Sequence, residues 1–103
     1  MKIIEHFVNG KKYSGNSKRF SPVYNPATGE ETSKVKLGSS EDLNKAVQEA
    51  QEAFFSWSNT PPLQRARVLF KFKELIEKNE DELTKIIVSE HGKVYEDAKG
   101  SLT

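Results

Sequence analysis

The chain has 103 residues, 35% of them hydrophobic, and Leu, Ile, Val and Phe fill 25 positions, so it is long and apolar enough for one domain with a modest core. The absence of cysteine excludes a disulfide scaffold, a thiolate zinc site and a cysteine nucleophile within these residues. Net charge is +1; residues 1–38 hold 7 basic and 3 acidic groups and residues 39–103 hold 9 and 12, too weak an imbalance for a nucleic-acid-binding stripe.

The first third reads as strands and turns. Ile3 to Val8 is apolar and β-branched, and Asn9-Gly10 follows, the dipeptide best able to place two positive-φ residues in a tight hairpin. Lys11 to Tyr13 is then the returning strand, and Ser14 to Ser17 a loop. Phe20 to Tyr24 is a second extended stretch, where Pro22 points to an edge position or a strand start. Asn25-Pro26-Ala27-Thr28-Gly29 is a dense turn signal. Thr32 to Leu37 alternates Thr, Lys, Lys with Ser, Val, Leu, the pattern of a half-buried strand.

At Gly38 the period changes. Ser39-Ser40-Glu41-Asp42 predicts a helix start, with a hydroxyl cap and acidic first turn. Leu43, Ala46, Val47, Ala50, Ala53, Phe54 and Trp57 form one apolar stripe, so a helix runs from Glu41 to Trp57. Thr60-Pro61-Pro62 opens a second helix, with Thr60 as its cap and Val68, Leu69, Phe72, Leu75 and Ile76 as its stripe. Asn79 with Glu82 caps a third, whose stripe is Leu83, Ile86 and Ile87. His91-Gly92-Lys93 is a stop, with Gly92 suited to the left-handed cap. Tyr95, Ala98 and Leu102 share the face of a fourth helix, which has no stop signal before Thr103. The expected organisation is therefore strands and turns over 1–38 and helices over 39–103, the last one incomplete.

Candidate chemistry is sparse. His6 sits in a strand and His91 at a helix end, with no carboxylate at ligand spacing, so both read as structural or surface groups. Ten serines are present, none in a nucleophile-elbow motif. Glu90 and Lys93 around Gly92 read as a helix C-terminus, and Glu96-Asp97 as first-turn helix residues. Phe54 and Trp57 belong to the apolar stripe, which leaves Phe55 to pack elsewhere. Arg65, Arg67, Lys71 and Lys73 read as a solvated basic flank. No Gly-rich phosphate loop occurs. No apolar run nears the roughly 18 residues of a membrane span, and the N-terminus is neither a secretory signal nor an Arg-rich transit peptide. A soluble, cytoplasmic protein is expected, or one of the mitochondrial matrix in a eukaryote.

Several segments in order resemble the aldehyde dehydrogenase superfamily. They are Phe7-Val8-Asn9-Gly10-Lys11, Asn25 to Glu30, the Ala46…Ala53-Phe54…Trp57 helix, Arg65 with Val68 to Ile76, and Ser89 to Lys93. Glu90-His91-Gly92-Lys93-Val94 with Asp97-Ala98-Lys99-Gly100 resembles the CoA-acylating methylmalonate-semialdehyde dehydrogenase branch. The resemblance implies an α/β fold in which N-terminal β-hairpins are followed by helices, part of the NAD-binding domain of a much longer enzyme. It further implies NAD and CoA as cofactors of that enzyme, an aldehyde substrate, and a homotetramer or homodimer, with neither nucleic acid nor membrane as partner. In the family a cysteine thiolate attacks the aldehyde and hydride passes to NAD; in this branch CoA takes the acyl group. None of those groups maps here, so the resemblance assigns no catalytic, cofactor-binding or metal residue to this chain. A non-catalytic α+β interaction module derived from such an enzyme is the competing expectation.

Overall fold

The computed structural model describes residues 1–103. By contacts they divide into two compact units, Met1–Val23 with Glu31–Thr60, and Tyr24–Glu30 with Pro61–Thr103.

The first unit holds the strands. β1 (Lys2–Ile4) pairs in parallel with β5 (Glu31–Lys36), from Lys2↔Ser33 to Ile4↔Val35. β5 is central, with β4 (Phe20–Tyr24) on its other side, so Pro22 does lie on an edge strand. Ser33 is buried and Val35 half-buried, while Thr32 and Lys34 face out, as the alternation requires. β2 (His6–Val8) and β3 (Lys11–Tyr13) form a separate antiparallel pair, registered His6↔Tyr13 and Val8↔Lys11. Asn9 at φ 54° and Gly10 at φ 76° make their two-residue turn. The single strand expected over Ile3–Val8 is thus two strands in two sheets. The break falls at Glu5, whose carboxylate accepts the Ser14 hydroxyl across the hairpin.

Helix α1 (Ser40–Ser58) completes this unit. Ser39 Oγ accepts from Asp42 N–H (3.1 Å) and Asp42 Oδ2 accepts from Ser39 N–H (2.9 Å), a reciprocal capping box.

The second unit is built on α2 (Pro62–Lys78), α3 (Glu80–His91) and α4 (Tyr95–Gly100), with the turn that Asn25 N–H closes on Glu30 O (2.8 Å). Two cap expectations fail. Thr60 does not cap α2; its hydroxyl donates back to Ser56 O (2.9 Å) and Pro61 takes the cap position without a side-chain bond. Asn79 does stand at the N-cap position of α3, and its carbonyl accepts from Leu83 N–H (3.0 Å), but its side chain makes no cap bond; Nδ2 donates to Leu75 O (2.8 Å) at the end of α2 instead. Both side chains lie within reach of a carbonyl in the last turn of the preceding helix, and they donate to it. Gly92 is left-handed at φ 78°, as its position demanded, and bonds Val88 O (2.9 Å). Beyond α4, Leu102 and Thr103 donate to Lys99 and Gly100 carbonyls in tight turns.

The apolar stripes do not form the core expected of them. Leu43, Val47 and Phe54 are 57–64% exposed, and Val68, Leu69 and Phe72 on α2 are 55–61% exposed. The buried positions are Ala98, Thr84, Ser33 and Asp42.

Candidate functional site

Each unit carries one polar cluster beside a cavity. In the first, the Asp42 carboxylate is the hub. Its Oδ1 accepts from Tyr13 OH (3.0 Å) and from Asn16 N–H (3.0 Å), while Oδ2 caps the helix. The Ser39 backbone N–H, then that of Asn16 and the Tyr13 hydroxyl, hold its carboxyl well below the usual carboxylate range. The same bond pushes the Tyr13 hydroxyl up, because ionised tyrosine beside a carboxylate is disfavoured. Gly15 makes room: at φ 73° it lies so close that a Cβ there would sit 2.7 Å from Asp42 Oδ2. Lys45 Nζ lies 5.2 Å from the Tyr13 ring centroid and 3.0 Å from Glu49 Oε1, which raises its own pKa.

A cavity of about 430 Å³ opens between this hub and the hairpin, lined by His6, Val8, Tyr13, Ser39, Asp42 and Leu43 among others. A neighbouring groove of about 250 Å³ runs between Asn9 and Glu49. His6 Nε2 and Glu49 Oε2 are buried without a protein partner.

In the second unit, Asp81 joins α3 to α4. Lys85 Nζ stands 2.9 Å from its Oδ2, and Tyr95 OH donates to its Oδ1 at 2.8 Å. Lys85 first, then Tyr95, lower the Asp81 carboxyl, and Asp81 in turn raises the Tyr95 hydroxyl. Lys99 Nζ reaches Glu80 at 3.4 Å. A cavity of about 410 Å³ is lined by Asn25, Ala27, Lys85, Val88, Ser89, Gly92, Lys93 and Tyr95.

The residues weighed from sequence fall outside any reactive pairing. Lys93 Nζ contacts Ser101 Oγ (3.2 Å), its polar partner, rather than Glu90. His91 occupies the last turn of α3, and Glu96 and Asp97 the first turn of α4. Lys71 and Lys73 pair along α2 with Glu74 and Glu77. No group of three or more His, Asp or Glu is placed to hold a metal ion. The arrangement is therefore one of ties between elements: Asp42 for the strands and α1, Asp81 for α3 and α4. The Ser39-x-x-Asp42 spacing signalled the cap, but not the reach from Tyr13 and Asn16, which is set by tertiary packing.

The model of the aldehyde dehydrogenase family matches residues 13–103. A malonate-semialdehyde dehydrogenase of Pseudomonas aeruginosa is 46% identical over 102 residues, covering 99% of this chain and 20% of that protein. One of Geobacillus kaustophilus is 43% identical over 101 residues, 98% of this chain and 21% of that protein. Among solved structures, a methylmalonate-semialdehyde dehydrogenase of Oceanimonas doudoroffii superposes with a TM-score of 0.94 at 46% identity, over 99% of this chain and 21% of that one. A Sinorhizobium meliloti protein described as the same kind of enzyme, complexed with NAD, gives 0.94 at 45% identity over 97% of this chain and 20% of its own. The chain thus spans about a fifth of the length of the relatives it matches.

Proposed function

The chain belongs to the aldehyde dehydrogenase family, and on that premise we propose that it is the N-terminal portion of an NAD-dependent, CoA-acylating methylmalonate-semialdehyde dehydrogenase. The observation that carries the reading is 46% identity maintained over 99% of the chain to a malonate-semialdehyde dehydrogenase, far above the 26–29% shared with other aldehyde dehydrogenases of the same fold. The whole enzyme converts methylmalonate semialdehyde, CoA and NAD to propanoyl-CoA, carbon dioxide and NADH. Malonate semialdehyde gives acetyl-CoA in the same way. Such an activity belongs to valine, thymine or inositol breakdown in the cytoplasm, and the enzyme assembles as a homotetramer or homodimer.

These 103 residues do not fit the cofactors. No Gly-rich loop opens any of the four helices, and no cysteine is present to act as nucleophile. We assign them no catalytic or cofactor-binding residue. Their contribution is a scaffold whose apolar α1 and α2 stripes are covered by the remaining four-fifths of the enzyme, where NAD and CoA bind.

A chimera tests this. The 103 residues replace the matching segment of the Pseudomonas aeruginosa relative, and NADH formation is followed with each semialdehyde. CoA-dependent turnover near that of the parent is expected. A folded chimera that binds NAD yet stays inactive would overturn the reading. The 103-residue protein alone is expected to reduce no NAD with any aldehyde, with or without CoA.

A further inference from the structure

The turn at Asn9-Gly10 carries chemistry that its scaffold role does not use. We propose that Asn9 is a site of spontaneous deamidation, and that the product loosens the β2–β3 hairpin from α1. The Gly10 backbone nitrogen, losing its proton to hydroxide, attacks the Asn9 side-chain Cγ. The C–N bond to the side-chain amine breaks, ammonia leaves with a proton from water, and a five-membered succinimide remains. Water then opens the ring at either carbonyl, leaving an aspartyl or an isoaspartyl residue; nothing is oxidised or reduced.

The structure singles out this asparagine among six. Asn9 and Gly10 are both exposed, and beyond the adjoining residues nothing lies within 4 Å of the Cβ position of Gly10, so the turn stands open to water and hydroxide. The other five are restrained. Asn16 Nδ2 donates to Glu41 (2.7 Å), Asn59 Nδ2 to Phe55 O (2.7 Å) and Asn79 Nδ2 to Leu75 O (2.8 Å). Asn25 Oδ1 accepts from Ala27 N–H, and the next residue is Pro26, which has no N–H to lose. Asn44 lies inside α1, where the following amide is committed to the helix.

The consequence follows from the groove that Asn9 lines with Phe7, Ala46, Glu49 and Ala50. Glu49 Oε2 is already buried there without a partner. A carboxylate at position 9 puts a second negative charge in the same groove, and like charges repel. The isoaspartyl form also adds a methylene to the main chain of a two-residue turn, which disturbs the Val8↔Lys11 register.

The test ages the 103-residue protein at mildly alkaline pH. Peptide mass mapping follows each asparagine, and amide exchange follows β2 and β3. Position 9 is expected to convert about tenfold ahead of any other, a barrier lower by ~1.4 kcal/mol. Aged protein is expected to lose exchange protection in β2–β3. Asn9→Gly, which keeps the positive φ without the carboxamide, is expected to keep that protection after the same ageing. Conversion at position 9 no faster than at Asn16 or Asn44 would sink the site. Unchanged protection in fully converted protein, or no protection in fresh protein, would sink its effect on the hairpin.

Discussion

Asp42 accepts hydrogen bonds from Ser39, Asn16 and Tyr13, which belong to three different stretches of chain. That concentration makes its ionisation a condition of the folded state. Its folded pKa is depressed, so its stabilisation is complete above the unfolded carboxyl value near ~4 and is lost as pH falls through the folded value. Asp81 acts in the same direction. Tyr13, Tyr95 and Lys45 have raised folded values, so their stabilisation is complete below about pH 10 and lost above it. Urea midpoints are therefore expected to be flat between those limits and to fall outside both. Asp42→Asn is expected to lower the neutral-pH midpoint and flatten the acid limb; an unaltered acid limb would rule out Asp42 as its source. Glycine positions separate two costs. Gly10→Ala meets only a left-handed backbone, about 1–2 kcal/mol. Gly92→Ala meets the same backbone plus Pro26 Cγ at 3.0 Å, so it should lose more than Gly10→Ala in the same denaturation assay.

Among elements, helices and turns follow local signals closely, because caps and periodicity act within a few residues. The Ser39 cap, the Asn9-Gly10 turn, the Gly92 stop and edge Pro22 were all legible for that reason. Partnering was not. Ile3–Val8 reads as one β-branched run, and nothing local says that Lys2–Ile4 joins β5 while His6–Val8 joins β3. Thr60 and Asn79 misled because a polar side chain between two helices sits beside donors ahead and acceptors behind. The stripes had the right spacing, but periodicity names a face to be covered and not what covers it. Within this chain that face is open. Val47→Ser and Phe54→Ser should each shift stability by no more than about 0.5 kcal/mol. Ala98→Leu, at a position with no exposed surface, should cost about 1–3 kcal/mol by overpacking. A large loss from the stripe variants in the same urea titrations would mean that those side chains are packed in solution.

Taken over the whole molecule, each unit leaves an apolar stripe open, Leu43, Val47 and Phe54 on α1 and Val68, Leu69 and Phe72 on α2, in a chain that spans a fifth of its relatives' length. The native protein is therefore expected to bind an apolar fluorescent dye without denaturant and to melt over a broad range. A sharp calorimetric transition with no dye binding would contradict this. No catalytic residue was read from this sequence, which carries no cysteine and no Gly-rich phosphate loop.

The parallel pairing of β1 with β5 also constrains how the chain is made. Lys2 and Ser33 are partners, yet some thirty residues of polypeptide must leave the ribosome between them. Closing so long a loop is slow compared with the two-residue β2–β3 turn. During synthesis the hairpin at Asn9-Gly10 is complete while β1 still waits, an unpaired strand edge available to any other extended chain. β1 is thus made before the hairpin that follows it yet pairs after it, and until then its edge stays open to other extended chains.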